Sequence, residues 1–288
     1  MGHKTITGGV LRELQMTELE MMLEFDRVCR ENGIPYSMDG GTMLGAVRHK
    51  GFIPWDDDMD VMMLREDYEK FRKAAGQLNP EICFWQDHET DPEYRWGYGK
   101  LRRTGTTFVR AGQEHIKCKT GVYVDVLPLD DVPKSLVGQI FFDFYCFVLR
   151  KVLWSEVGKY SEKNPFKRVC YRLLSHIHPD FIFRLCKRSE KKSRNDSVNR
   201  VRVMTLPTYG KYYVKDNPFC ERYGMTKEWL RKLVRYEFEG VQLLGVENYE
   251  AYLTHLYGDY MKLPPVEERC SHAPVSSYQF GKTVRKED

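Results

Sequence analysis

The apolar positions divide the chain into a mixed front and a helical rear. Leu19, Met22, Leu23, Phe25, Val28 and Cys29 recur at helical spacing. Thr17 and Glu20 read as a capping box ahead of them and Asn32-Gly33 as a stop, which predicts a helix over 17–32. Ile34 to Met38 reads as a short extended segment entering Asp39-Gly40-Gly41, and residues 42–48 as a helix ended by Gly51. Asp58-Met59-Asp60-Val61-Met62 alternates with period two and predicts a strand. Residues 65–75 return to helix, with Tyr68, Phe71 and Ala75 on one face. β-Branched and aromatic content predicts strands over 82–86, 97–102, 106–110 and 121–127, with Asp130 and Asp131 as turn residues past Pro128. From 136 the pattern turns helical, over 136–157 and 165–194, with KRSEKKSRNDSVNR (187–200) as a loop or boundary. A helix near 226–233, a strand near 234–239 and a helix over 247–257 complete the outline. The class is α+β: a mixed sheet with flanking helices over 1–135 and a mainly helical region over 136–288.

Composition narrows the function classes. Hydrophobic residues make up 42% and charged residues 30%, which excludes a disordered chain. Lys and Arg number 45 against 41 Asp and Glu, and a net charge of +4 is too balanced for an obligate nucleic-acid binder. No two of the eight cysteines lie closer than 16 positions, so no C-x-x-C zinc or redox pair exists. Met1 to Val10 has no apolar signal-peptide core, and the expectation is eight reduced thiols in a cytoplasmic protein. The most apolar stretch, Ile140 to Leu149, is too short to span a bilayer and carries Asp143.

The densest chemistry is Asp56, Asp57, Asp58 and Asp60. On a strand, residues i and i+2 share a face, so Asp58 and Asp60 project side by side and repel unless a cation or proton lies between them. An acidic run is most often a solvated loop. Here Trp55, Met59 and Val61 to Leu64 flank it with buried-strand composition, where unpaired carboxylates would be costly, and a hard cation with oxygen ligands is the better reading. Gly121 to Leu127 is an apolar strand with Asp125 in its middle. Alone it would be a hydrogen-bonded core acid; with the earlier pair it completes a three-carboxylate metal site on two adjacent strands.

Gly40-Gly41 stands between a short strand and a helix, where backbone can approach a phosphate and a helix N-terminus offers donors. Most Gly-Gly pairs are only turns, but divalent metals and phosphates belong together in phosphoryl transfer. Arg48 is a candidate phosphate contact through its planar fork, whereas Lys50 reads as a solvated helix end. Lys100 alternates with Tyr98 and Arg102 on one strand face, either reaching the same phosphates or lying on a solvated edge. His49 is either a base or a structural histidine, and His115, His176 and His178 have no evident third ligand.

Residues 38–63, MDGGTMLGAVRHKGFIPWDDDMDVMM, resemble the signature of the LicD family, within the nucleotidyltransferase-fold superfamily. The resemblance extends to GVYVDVLPLDDVP (121–133), FEGV (238–241) and YLTHLYGDYMKLPPVEER (252–269), and is least clear over 140–235. The fukutin-related proteins are distant relatives, and their cysteine zinc motif is absent here. The resemblance implies a nucleotidyltransferase-like core, a CDP-linked donor such as CDP-choline, Mg²⁺ or Mn²⁺, and a glycan hydroxyl acceptor in lipopolysaccharide or teichoic acid assembly. Residue by residue, it implies Asp58, Asp60 and Asp125 as catalytic metal ligands, with Asp125 as ligand or base. Gly40, Gly41, Arg48 and Lys100 would bind the donor. Trp55, Trp85, Trp96 and Tyr98 are candidates for a cation–π box around a quaternary ammonium.

The expected reaction is transfer of a phospho-headgroup, phosphocholine first, from its CDP ester to a glycan hydroxyl with release of CMP. Nucleotidyl transfer with release of pyrophosphate, and a non-catalytic ligand-binding protein, are the alternatives. The expected location is cytoplasmic, with no transmembrane segment. Salt-sensitive contact at the inner membrane face would come through Arg184, Lys187, Arg188, Lys191, Lys192 and Arg194. The aromatic helix over 136–157 is expected to be buried between two halves of the protein.

Overall fold

The structure is a computed structural model; it describes residues 5–193, 199–207, 224–271 and 274–281. The elements run α1 (Gly8–Glu31), β1 (Ser37–Met38), α2 (Gly40–His49), β2 (Asp60–Leu64), α3 (Arg65–Ala74), β3 (Cys83–Gln86), β4 (Gly99–Arg103), β5 (Thr107–Arg110), β6 (Tyr123–Asp131), α4 (Leu136–Ser161), α5 (Pro165–Leu174) and α6 (Pro179–Ser193). They continue with β7 (Arg200–Arg202), β8 (Met225–Thr226), β9 (Leu233–Phe238), β10 (Val241–Val246), α7 (Tyr249–Tyr257) and β11 (Val275–Gln279). The architecture is α+β, as expected.

The main sheet has the order β1-β2-β6-β4-β3, and β7 extends the far end of β6. β2 and β6 are parallel and the other pairs antiparallel. The register aligns Asp60 with Asp125 and Asp125 with Lys100. Directly paired residues share a sheet face, so these three side chains form one row across three strands. β2 and β6 are nearly all apolar because both of their faces are covered: Val61, Met62, Met63, Val124 and Val126 are fully buried. Phe25 of α1 packs on Tyr36 and Phe71 in this core. After the helical stretch α4 to α6 the chain returns to the same core, which includes Trp229, Phe238, Leu243, Tyr252 and Val275.

Several boundaries differ from the expected ones for physical reasons. α1 begins nine residues before Thr17, and Thr17 is not a cap; its hydroxyl donates to the Glu13 carbonyl within the helix. Asp58 lies before β2, which starts at Asp60. The helix expected over 165–194 is broken into α5 and α6, with Pro179 opening the second. The helix expected near 226–233 is a 3-10 turn over Lys227–Arg231. Asp130 and Asp131 are not turn residues but the end of β6. Asp130 accepts two bonds from Arg65, at 2.8 and 2.7 Å, and Asp131 pairs with Lys227 at 2.8 Å. The aromatic helix is not buried as a whole. Phe142 and Tyr145 pack on a second core of Cys146, Leu149, Leu153, Ile182 and Phe183, while Phe141, Phe144, Phe147 and Trp154 of the same helix are exposed. The seven described cysteines are all free thiols; Cys220 lies outside the described residues.

The Arg65–Asp130 pair is almost wholly buried, and removing the Asp130 charge leaves Arg65 only its longer contacts to Glu69 and Glu190, at 3.6 and 3.4 Å. Asp130→Asn is expected to lower stability by about 3 kcal/mol, read as a fall in the urea midpoint with an unchanged m-value.

Candidate active site

The acidic segment 53–60 is pinned from two helices. Gln15 of α1 donates to the carbonyls of Ile53 and Asp56, at 3.3 and 3.0 Å. Thr42 of α2 accepts from the Asp60 amide at 2.9 Å. Each glycine of the pair has its own reason. Gly40 has φ +47°, a left-handed conformation that favours glycine. A Cβ on Gly41 would come within 2.6 Å of an Asp56 carboxylate oxygen. The Gly40 amide donates to the Tyr252 hydroxyl at 2.9 Å, and that hydroxyl donates to Asp39. The start of α2 is therefore locked to α7, and its first amide is already engaged.

Two cavities meet at Asp58. The first, about 600 Å³, is lined by Gly40, Gly41, Arg48, Asp56, Asp58 and Asp60, together with Trp55, Tyr257, Tyr260, Asp259 and Glu268. The second, about 180 Å³, is lined by Asp58, Lys100, Arg102, Arg110, Tyr123 and Asp125, with Tyr98, Trp96 and Trp154. All seven residues expected at the site line one or other cavity, but they divide. Asp60, Gly40, Gly41 and Arg48 face the first, Asp125 and Lys100 the second, and Asp58 both. Arg48 and Lys100, expected on the same phosphates, are thus on opposite sides. Lys100 and Arg102 are not on a solvated edge; β4 is an inner strand and both are buried. The expected aromatic box is split. Trp55 is in the first cavity, Trp96 and Tyr98 in the second, and Trp85 is in the core against Tyr68 and Phe71. His49 lines neither; it accepts from Arg48 at 3.0 Å and lies edge-on to Trp55.

The electrostatics are those of concentrated negative charge. Among the described residues, Asp56, Asp57 and Asp58 each bring a carboxylate oxygen within 4.8 Å of the others. Burial, then Asp58, Asp125 and Asp39, hold the Asp60 carboxyl well above the ordinary range. Glu18 of α1 is buried against the same cluster. Burial first, then Asp58, Asp57, Asp56 and Asp60, raise its carboxyl well above the usual value, and its Oε2 has no hydrogen-bond partner. Oxygen donors grouped this way, with a buried carboxylate oxygen still unsatisfied, suit a hard divalent cation. Opposite them, Lys100 is ion-paired with Asp125, and burial pulls its pKa down to about 8 despite that partner. Arg110 reaches Asp58 at 3.6 Å. Burial opposes the Arg110 charge but is outweighed by Tyr123 and the carboxylates of Asp58, Asp57 and Asp125, so its pKa rises.

Sequence reasoning missed Glu18, Arg110, Tyr252 and Tyr257. Glu18 sat between the two supposed caps of a surface helix start. Arg110 ends the strand expected over 106–110, and its approach to Asp58 is a contact between distant parts of the chain. No spacing in the sequence joins either residue to the acids.

A glycine turn, an acidic loop and an in-register acidic strand pair are the parts expected of a nucleotidyltransferase-type domain. Residues 33–148 match the family described as LicD/FKTN/FKRP, nucleotidyltransferase domain. The lipopolysaccharide cholinephosphotransferase LicD of Haemophilus influenzae is 29% identical over 272 residues, covering 93% of this chain and 97% of that protein. An uncharacterised protein of Rickettsia prowazekii is 25% identical over 146 residues, 51% of this chain and 50% of its own length. The human ribitol 5-phosphate transferase FKRP is 42% identical over 59 residues, 19% of this chain and 12% of that protein. Residues 33–148 thus match the LicD domain, in agreement with the resemblance seen in the sequence.

Glu18 gives the site a pH signature. Below the ordinary glutamate range both folded and unfolded chains hold its proton. Between that range and its raised folded value, only the folded chain retains it, so stability falls as pH rises through this window. Glu18→Gln mimics the protonated carboxyl and is expected to match the parent near pH 4 but to melt at a higher temperature above neutrality. Thermal melts across pH, without divalent ions, check this; Mg²⁺ is expected to narrow the gap.

Proposed function

We propose that this LicD-family phosphotransferase moves a phospho-headgroup, phosphocholine in the first instance, from a CDP-linked donor to a glycan hydroxyl, with Mg²⁺ or Mn²⁺ at the carboxylates. The observation that carries the reading is the meeting of two unlike cavities at Asp58. One is acidic and ends on a helix N-terminus; the other is cation-lined and holds Asp125. A donor and an acceptor seated in them would face each other across that wall.

The donor diphosphate belongs in the first cavity. A divalent ion there neutralises charge developing on the diphosphate. Asp58 and Asp60 would hold it, with Asp56 and Asp57 close enough to share the load. Arg48 neutralises the outer phosphate oxygens; its guanidinium is fixed by a 3.0 Å bond to the Tyr260 carbonyl. With the Gly40 amide engaged, α2 contributes through its dipole and the next first-turn amides.

The acceptor hydroxyl belongs in the second cavity, with Asp125 as its base, oriented by the ion pair to Lys100. The headgroup fits the first cavity better than the second. A quaternary ammonium needs a ring face not already covered by a cation, and Tyr123 is covered by Lys100 at 3.5 Å and Arg102 at 4.9 Å. In the first cavity, Tyr257 and Tyr260 stand beside Asp259 and Glu268.

Asp58→Ala and Asp60→Ala are each expected to cost about 10³-fold in kcat/KM, or ~4 kcal/mol of barrier, with an unchanged circular dichroism spectrum. Steady-state kinetics with cytidine-labelled CDP-choline checks this. CMP as the labelled product supports the reading, label on the acceptor points to nucleotidyl transfer instead, and calorimetric binding without turnover points to a binding protein.

A further inference from the structure

Helix α4 is apolar on two sides and only one is packed. Cys146, Leu149, Val152 and Leu153 face the second core. On the opposite side Leu136, Val137, Ile140, Phe141, Phe144 and Phe147 follow at helical spacing, and Phe141 and Phe144 are 70% and 63% exposed. α5 lies against α4, where Gly158 leaves room for the Tyr171 ring and Lys151 donates to the Tyr171 hydroxyl at 3.0 Å. α5 adds Phe166, Val169 and Leu173, spaced three and four apart on one face, with Phe166 76% exposed. An outward aromatic surface on this scale marks an interaction site rather than scattered surface residues. Among the described residues no helix is long and apolar enough to cross a membrane.

We propose that the exposed face of α4 and α5 docks in the plane of an anionic lipid leaflet. Charge decides between a bilayer and a second copy. Residues 134–190 carry eleven Lys and Arg against five Asp and Glu, and Lys167, Arg168 and Arg172 lie on α5 beside its apolar stripe. A self-complementary dimer through this face would bring like charge to like charge. An anionic leaflet meets the aromatic rings with acyl chains and the basic rim with headgroups. The binding is therefore apolar as well as electrostatic, unlike the salt-sensitive contact expected from the basic segment at 184–194, of which 191–194 has no described side chains.

The face also has an inner side that leads toward the chemistry. Arg150, Lys151 and Trp154 of α4 line a third cavity of about 360 Å³, which shares Trp96, Tyr98 and Trp154 with the cavity holding Asp125. Docking would open that path at the lipid surface, where an acceptor carried on a lipid would enter. The docking itself does not depend on the proposed reaction.

The test is flotation of the full chain with vesicles of phosphatidylcholine alone and mixed with phosphatidylglycerol, at low salt and at about 1 M salt, where screening is nearly complete. The parent is expected to float with the anionic vesicles and to retain part of that binding at high salt. Phe141→Ser, Phe144→Ser and Phe166→Ser combined are expected to lower the partition coefficient about tenfold or more and to abolish the high-salt fraction, with an unchanged melting temperature. Flotation of the triple variant equal to that of the parent would overturn the proposal. So would failure of the parent to float, or light scattering that finds a dimer which the triple variant dissociates. Turnover of CDP-choline with a soluble acceptor needs no vesicles, so a negative result here leaves the phosphotransfer reading standing.

Discussion

The structure is organised around an electrostatic problem. Asp56, Asp57, Asp58, Asp60 and Asp125 converge where apolar strands meet, and Glu18 is buried against them. Carboxylates in such surroundings are stable only when protonated, paired or bound to a cation. The side chains show the first two at work and leave room for the third. Burial and the neighbouring acids raise the Asp60 and Glu18 carboxyls well above the ordinary range, Lys100 pairs with Asp125, and Arg110 stands opposite Asp58. The tight Asp56–Asp58 group is the part that a cation would complete.

Holding those charges close requires a rigid frame. The parallel pairing of β2 and β6 fixes Asp60 against Asp125, and one slip in register would turn one of them to the other face. The loop before β2 has no such ladder. Its geometry comes from Gln15 and Thr42 and from the space left by Gly41. This explains why α1 is long and well packed although it carries none of the expected site residues: it supplies the floor of the acidic loop.

The legible parts of the sequence were those written locally. The glycine turn, the strand at Asp60, the Asp125 strand and the α+β class all follow from residues near each other in the chain. What was not legible depends on distant pairing. Asp130 looked like a turn residue because its partner Arg65 lies on another element. Lys100 and Arg48 looked equivalent because nothing in the sequence reveals that a partition at Asp58 separates them. The aromatic helix looked buried because composition reports hydrophobicity but not which side meets a core. α4 has apolar residues on both sides, and the single second core can cover only one. The family resemblance reached further than the residues alone in one respect: it pointed to the class of reaction, which no spacing of residues carries.

The partition gives the proposed reaction a direction. Arginines and a lysine crowd the second cavity, and their positive charges already lie over the rings of Tyr98 and Tyr123. A cationic headgroup is repelled there, while an anionic or neutral sugar is not. In the first cavity the balance is reversed: Asp56, Asp58, Asp60, Asp259 and Glu268 outnumber Arg48 and Lys262. By that balance, the proposed donor diphosphate would enter this cavity accompanied by cations. A CDP ester of a cationic alcohol, entering with a divalent ion, carries its own counter-charge at both ends. Under the proposed reaction, donor choice would follow from the sum of charges in the cavity, with single contacts setting the orientation.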